Sequence, residues 1–248
     1  MKKYIILFCT LFCVLSCFSE LKYHIQETHY AYDILIVFTN NDSKNKLLVD
    51  EILNDTLIYK CISMNVAGNF TKFPSNFHKI SWIKEMQISS KKPFVIDSQF
   101  SAFNKLELLL VFSKIKHVDK SVRLPKLKNI WFQYSKLKEF PLAICFWHSL
   151  TSIDIQGCNF GTLPKEIGNL QELERLNLSI NNISFLPNEF YSLQKLKSVG
   201  LSNNSLITIS DSICNMKSLE WICLDDNKKL TLDETIKKCL ANILQTLY

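Results

Sequence analysis

LERLNLSINNISFLPNEFYSLQK occupies residues 173–195, and LKSVGLSNNSLITISDSICNMKS follows at 196–218. The two stretches share few identities, yet apolar residues and one asparagine return at the same places, 23 residues apart. With the first Leu as position 1, the earlier stretch sets Leu173, Leu176 and Leu178 at positions 1, 4 and 6, and Asn181 at 9. Ile183 falls at 11, Leu186 and Pro187 at 14 and 15, Phe190 at 18 and Leu193 at 21. The later stretch repeats the frame with Leu196, Val199, Leu201, Asn204, Leu206, Ile209, Ile213 and Met216. A period of 23 fits neither a helical heptad nor a hairpin. Each copy must be a unit that cannot bury its own apolar edge and stacks on the next.

The frame extends in both directions. Residues 150–172 carry Leu150, Ile153, Ile155, Cys158, Phe160, Leu163 and Pro164, and 127–149 carry Leu127, Ile130, Phe132, Ser135, Leu137, Phe140 and Pro141. Residues 83–105 fit at full length, 106–126 fit after a deletion of two, and 61–82 after a deletion of one. Downstream, Leu219, Ile222, Leu224 and Asn227 open an eighth register, which runs into TIKKCLANILQTLY with helical apolar spacing.

Each position has a physical reason. Positions 4 and 6 lie on one face of a short strand. Successive strands stack in parallel and merge their inward residues into one core. An Asn at 9 sits where the chain leaves the strand, and its amide can pair backbone groups of the turn and of the next repeat. Unpaired, such groups cost about 1–3 kcal/mol each. Pro at 15 keeps the chain out of a sheet, and positions 18 and 21 close the core from the far side. The Asn column is filled at Asn181, Asn204 and Asn227, whereas Lys91, Lys114, Ser135 and Cys158 stand there upstream, and Asn69 falls in a shortened repeat. The N-terminal half is therefore expected to be the less regular one.

This spacing is similar to that of leucine-rich repeats, L-x-x-L-x-L-x-x-N-x-L-x-x-L-P. The resemblance implies an α/β solenoid of about eight repeats, with a curved parallel sheet on the concave side and short helices or 3-10 turns on the convex side. DEILNDTLIYKCISMNVAGNFTKFPSNFHKI (residues 50–80) resembles the opening segment of spirochaete leucine-rich-repeat proteins through Val66-Ala67-Gly68-Asn69 and Phe73-Pro74. Leu163-Pro164-Lys165-Glu166-Ile167-Gly168-Asn169-Leu170 looks like that family's commonest convex segment. The resemblance implies a bacterial secreted or surface interaction protein and no particular ligand.

The ends set the organisation. MKKYIILFCTLFCVLSCFSE opens with Lys2 and Lys3, continues apolar from Tyr4 and turns polar at Ser19. That is signal-peptide anatomy, short of the roughly 20 residues a membrane span needs. Val14-Leu15-Ser16-Cys17 resembles a bacterial lipobox, which makes Cys17 a candidate lipidation site; ordinary cleavage near Ser19 is the alternative. The expected layout is a signal peptide at 1–19, an N-terminal capping region at 20–60 with a helix over 44–57, repeats over 61–232, and a C-terminal capping helix within 233–248. Without Lys2 and Lys3 the 29 basic residues fall to 27 against 23 acidic, or +4. The lysines are scattered, which reads as a solvated surface and not as a nucleic-acid-binding stripe.

No motif points to catalysis. The five His lack metal-type partners at i+3 or i+4, there is no phosphate loop or nucleophile elbow, and no cofactor is expected. The six Cys after the leader show no Cys-x-x-Cys pair or clustered spacing, so they read as small buried residues and not as a disulfide or zinc framework. Binding must then lie on positions 3, 5, 7 and 8, which face the concave side. Most repeats are polar or small there. Leu110, Phe112, Trp131 and Tyr134 are not, and with Gln133 and Asp154 at the rim they form the candidate binding site for a protein or peptide. The alternatives are a structural cell-envelope protein that self-associates through this patch, and a patch covered by irregular local structure.

Overall fold

The computed structural model describes residues 23–27 and 32–245, apart from Gln133 and Lys136. In every repeat the chain from position 3 onward forms a short strand: β3 (Cys61–Gly68), β4 (Glu85–Ser90), β6 (Leu108–Val111), β8 (Asn129–Phe132), β9 (Ser152–Asp154), β10 (Arg175–Asn177), β11 (Ser198–Gly200) and β12 (Trp221–Cys223). These pair in parallel in that order, with position 4 always opposite position 4: Met64, Met86, Leu109, Ile130, Ile153, Leu176, Val199, Ile222. All eight are buried. The two shortened repeats therefore keep the strand register and take up their deletions elsewhere in the coil.

The sheet is longer than the sequence reading allowed. β2 (Tyr32–Phe38) pairs in parallel with β3, and β1 (Tyr23–Glu27) closes the edge antiparallel to β2. Residues 32–60 are thus a further coil of the solenoid, not a separate cap. Ile34, Ile36 and Phe38 enter the common core, and helix α1 (Asp42–Leu53) seals them from the convex side with Leu48, Val49 and Ile52. Helix α1 begins at the Asn41 cap, whose side chain accepts from the Lys44 N–H, and it ends before 57. Asp55 takes the chain into a separate 3-10 turn, Thr56–Lys60, by accepting from the Leu57 N–H.

The two halves leave their strands differently. From residue 127 onward position 8 is left-handed in every repeat: Tyr134, Gly157, Ile180, Asn203 and Asp226 have φ of 53°, 67°, 58°, 53° and 59°. Position 9 then points inward. Asn204 Nδ2 donates to the Leu178 and Leu201 carbonyls while its Oδ1 accepts from the Ile183 N–H. Asn181 and Asn227 do the same one repeat earlier and later. The amide reaches back to the preceding repeat, not forward to the next as the sequence reading had it. In the repeats at 83 and 106 the exit comes one residue sooner. Ser90 and Ser113, not Lys91 and Lys114, occupy the column, with the Ser90 hydroxyl on the Phe70 carbonyl and the Ser90 N–H on the Ser113 oxygen. Ser135 and Cys158 join the two systems through bonds to the Ser113 and Phe132 carbonyls.

The convex side also divides. Pro141, Pro164, Pro187 and Ser210 each precede a 3-10 turn in the regular repeats. In the irregular ones β5 (Phe94–Ile96) and β7 (Ile115–Val118) form a second, two-stranded parallel sheet, beside a cluster of interlocked rings. Phe73 sits 4.0 Å from Phe77, 5.1 Å from Phe94, 5.2 Å from Phe100 and 6.2 Å from Phe38, ring centre to ring centre.

At the far end helix α2 (Glu234–Gln245) starts at Asp233, which accepts from the Ile236 N–H, and buries Ile236 and Leu240. Cys239 on this helix forms a disulfide with Cys214 in the turn Asp211–Asn215. The reading of the cysteines as plain buried residues is corrected for these two, while Cys61, Cys145 and Cys158 are buried thiols. The stacking of one repeat on the next brings together two thiols 25 residues apart in sequence, which no local motif announces.

Candidate functional site

The strand register arranges the concave side chains in rows that run across the strands. The position-5 row reads Leu35, Asn65, Gln87, Leu110, Trp131, Asp154, Asn177, Gly200, Cys223. Leu110, Trp131 and Asp154 are therefore direct cross-strand neighbours on β6, β8 and β9. Ile130 and Phe132 face the core at 2% and 0% exposure, which leaves Trp131 on the opposite, concave face. Phe112 lies one row along, with its ring 5.7 Å from the Trp131 ring and tilted 60° to it.

The patch is more enclosed than alternation alone suggests. Trp131 is half-buried, and Leu110 is only 7% exposed. On the inner side of a curved sheet neighbouring side chains converge, and Phe112 leans on Trp131. The Trp131 Nε1–H is shielded from solvent and meets no acceptor among the described residues. A buried indole N–H usually finds a partner.

Tyr134 is the exposed member, at 59%. Its N–H donates to the Gln156 carbonyl at 2.9 Å, and its ring lies over Gly157, where an added Cβ would come within 2.5 Å of the Tyr134 Cδ1. Asp154 is half-buried, with Oδ2 accepting from the Asn177 amide at 3.3 Å. The remaining expected site residues, Gln133 and Cys17, lie outside the described residues.

Sequence reasoning missed the concave residues of β2, namely Asp33, Leu35 and Val37, which pair with Ser63, Asn65 and Ala67. The alternation in YDILIVF could have revealed them had that strand been placed in the sheet. Asp33, Ser63 and Glu85 make three consecutive members of the position-3 row. Burial raises the pKa of the Asp33 carboxyl, partly opposed by the Ser63 hydrogen bond. Burial, then the charges of Asp33 and Glu107, raise that of Glu85.

Burial pushes Cys61 up to about 11 and Cys145 up to about 12, far from a reactive thiolate. Among the described residues no group of three His, Cys, Asp or Glu could hold a metal ion, and no helix is long and apolar enough to cross a membrane.

Comparison with known proteins agrees with this architecture. Residues 148–206 and 171–228 match the family model described as leucine rich repeat. Among solved structures, the chain is similar to one in the crystal structure of a TLR13–ssRNA13 complex, with a TM-score of 0.64 and 20% identity. That match covers 80% of this chain and 29% of the other. The leucine-rich repeat domain of the type III effector XopL matches at a TM-score of 0.49 and 18% identity, over 76% of this chain and 58% of that one. The molecule is a leucine-rich-repeat solenoid.

Proposed function

We propose that the protein is an exported, non-catalytic binding module that engages a protein or peptide on its concave face, centred on Leu110, Phe112, Trp131 and Tyr134. The observation that carries this reading is the aromatic cluster on β6 and β8, where the Phe112 and Trp131 rings meet on the concave face. Large aromatics enclosed at the centre of a concave face, with a polar rim, have the make-up of interaction hot spots.

Charge favours a polypeptide over a nucleic acid. At concave positions of β2 to β12 the single base is Arg175, against Asp33, Glu85, Asp154, Asp225 and Asp226. A phosphate backbone would need the opposite balance. The TLR13 complex contains single-stranded RNA, whereas the charge balance of this face is acidic. Export is supported by the apolar leader and by the Cys214–Cys239 disulfide, since such bonds persist in oxidising compartments. On the lipobox resemblance, Cys17 would carry the anchor, the one way in which a membrane enters this reading. The alternative is a cell-envelope protein that pairs with itself through the same patch.

Light scattering over a concentration series, on the parent and on Trp131→Ala, separates these. A parent that stays monomeric and captures partners only while Trp131 is present supports ligand binding. A parent that dimerises while Trp131→Ala stays monomeric supports self-association. Mass spectrometry of protein from its native host tests processing. A chain beginning at a lipidated Cys17 supports the anchor, an unmodified start near Glu20 supports secretion alone, and a chain beginning at Met1 contradicts export.

A further inference from the structure

The concave face carries a second feature beside the aromatic cluster. Asp33 and Glu85 flank Ser63 on three adjacent strands. Both carboxylates are half-buried, and neither forms an ion pair among the described residues. Glu107, by contrast, is neutralised by Lys128 at 2.8 Å. The row then runs from Glu85 to Leu108, which stands two residues before Leu110 on β6, and Leu110 in turn pairs with Trp131 on β8. Two half-buried carboxylates without an ion pair among the described residues thus share one surface with the aromatic cluster.

We infer, building on the concave-face reading above, that the ligand is an extended polypeptide segment carrying a lysine or arginine near a large apolar side chain. The cation would sit between Asp33 and Glu85, over the Ser63 hydroxyl, and the apolar side chain would lie against Leu110, Phe112 and Trp131. A basic group satisfies both carboxylates at once, and the enclosed site strengthens such charge-assisted bonds. Burial acts against the ionised form of each carboxyl, the Asp33 charge adds to it at Glu85, and the attraction of an incoming cation offsets that cost.

Geometry fixes the spacing within the ligand. From β3 to the midpoint between β6 and β8 is roughly 12 Å across the strands, and the step from position 3 to positions 5 and 7 adds roughly 9 Å along them, a diagonal of roughly 15 Å. Four residues of extended chain span roughly 13 Å, and residues four apart point to the same side. The basic and apolar residues should therefore be four apart, in a segment running across the strands.

The test is an array of immobilised Ser/Thr-rich peptides, each with one leucine or tryptophan. Lysine, arginine, norleucine or glutamate is placed two, four or six residues to either side. Full-length protein should bind best with a basic residue four places away, and weaken at least about tenfold when glutamate replaces it. Asp33→Asn combined with Glu85→Gln should erase the preference for a basic residue and leave the thermal unfolding transition in place. Trp131→Ala should abolish binding whatever the charge. If peptides bind, Trp131→Ala abolishes that binding and basic and acidic peptides bind alike, the cation subsite is overturned while the concave site stands. If no peptide depends on either Trp131 or charge, both readings fall.

Discussion

The two halves of this solenoid solve one problem in different ways. Every coil must leave its strand without stranding backbone groups in the core. From residue 127 onward the chain does so with a left-handed residue at position 8 and an inward side chain at position 9, in time an asparagine that pairs three backbone groups. In the repeats at 83 and 106 it exits one position earlier on serine and closes the convex side with a small second sheet, and the interior there is filled with packed phenylalanines. One half is held by a repeated polar ladder and the other by bulk. The aromatic concave patch lies on β6 and β8, where the two systems meet.

The contrast can be broken at several points. Phe73→Ala should have the largest effect, about 3–5 kcal/mol by chemical denaturation, because the ring touches five others and its loss leaves a cavity. Reducing Cys214–Cys239 should follow, at about 3 kcal/mol for a closed loop of this size. Hydrogen exchange should rise over 219–245 and stay unchanged before residue 127; uniform acceleration would mean that the chain unfolds as one unit and that the end cap has no local role.

Asn204→Ala should cost about 1–3 kcal/mol, since the Ile183 N–H and two carbonyls lose their partner. Ser113→Ala should be measurably destabilising, and Lys114→Ala silent. Equal effects at positions 113 and 114 would contradict the earlier exit. Ile180→Asn should stabilise by about 1 kcal/mol, because a β-branched residue is strained in the left-handed region and asparagine tolerates it. A loss of stability there would mean that the half-exposed Ile180 side chain packs better than its backbone suffers.

How much of this was legible depended on what the apolar pattern records. Positions 1, 4 and 6 mark the core face, so the strand register survived even the repeats that are short by one or two. The move of the buried polar group from position 9 to 8 left no trace, because Lys91 and Lys114 occupy the Asn column while Ser90 and Ser113 look like ordinary surface serines. β2 escaped inclusion because α1 lengthens its coil beyond the 23-residue frame. At the site, alternation placed Trp131 on the concave face correctly. The enclosure of Leu110 was not legible, since it arises from side chains on other strands and from the curvature of the sheet.

The central claim is that the apolar side chains on the concave side of β6 and β8 serve a ligand and not the core. Chemical denaturation of Trp131→Ala beside its chain neighbour Phe132→Ala tests it most directly. Phe132 is fully buried, and its loss should cost about 3–5 kcal/mol. Trp131 shares one ring contact, and its loss should cost about 1 kcal/mol or less. Two variants destabilised to the same extent would place Trp131 in the core and remove the site.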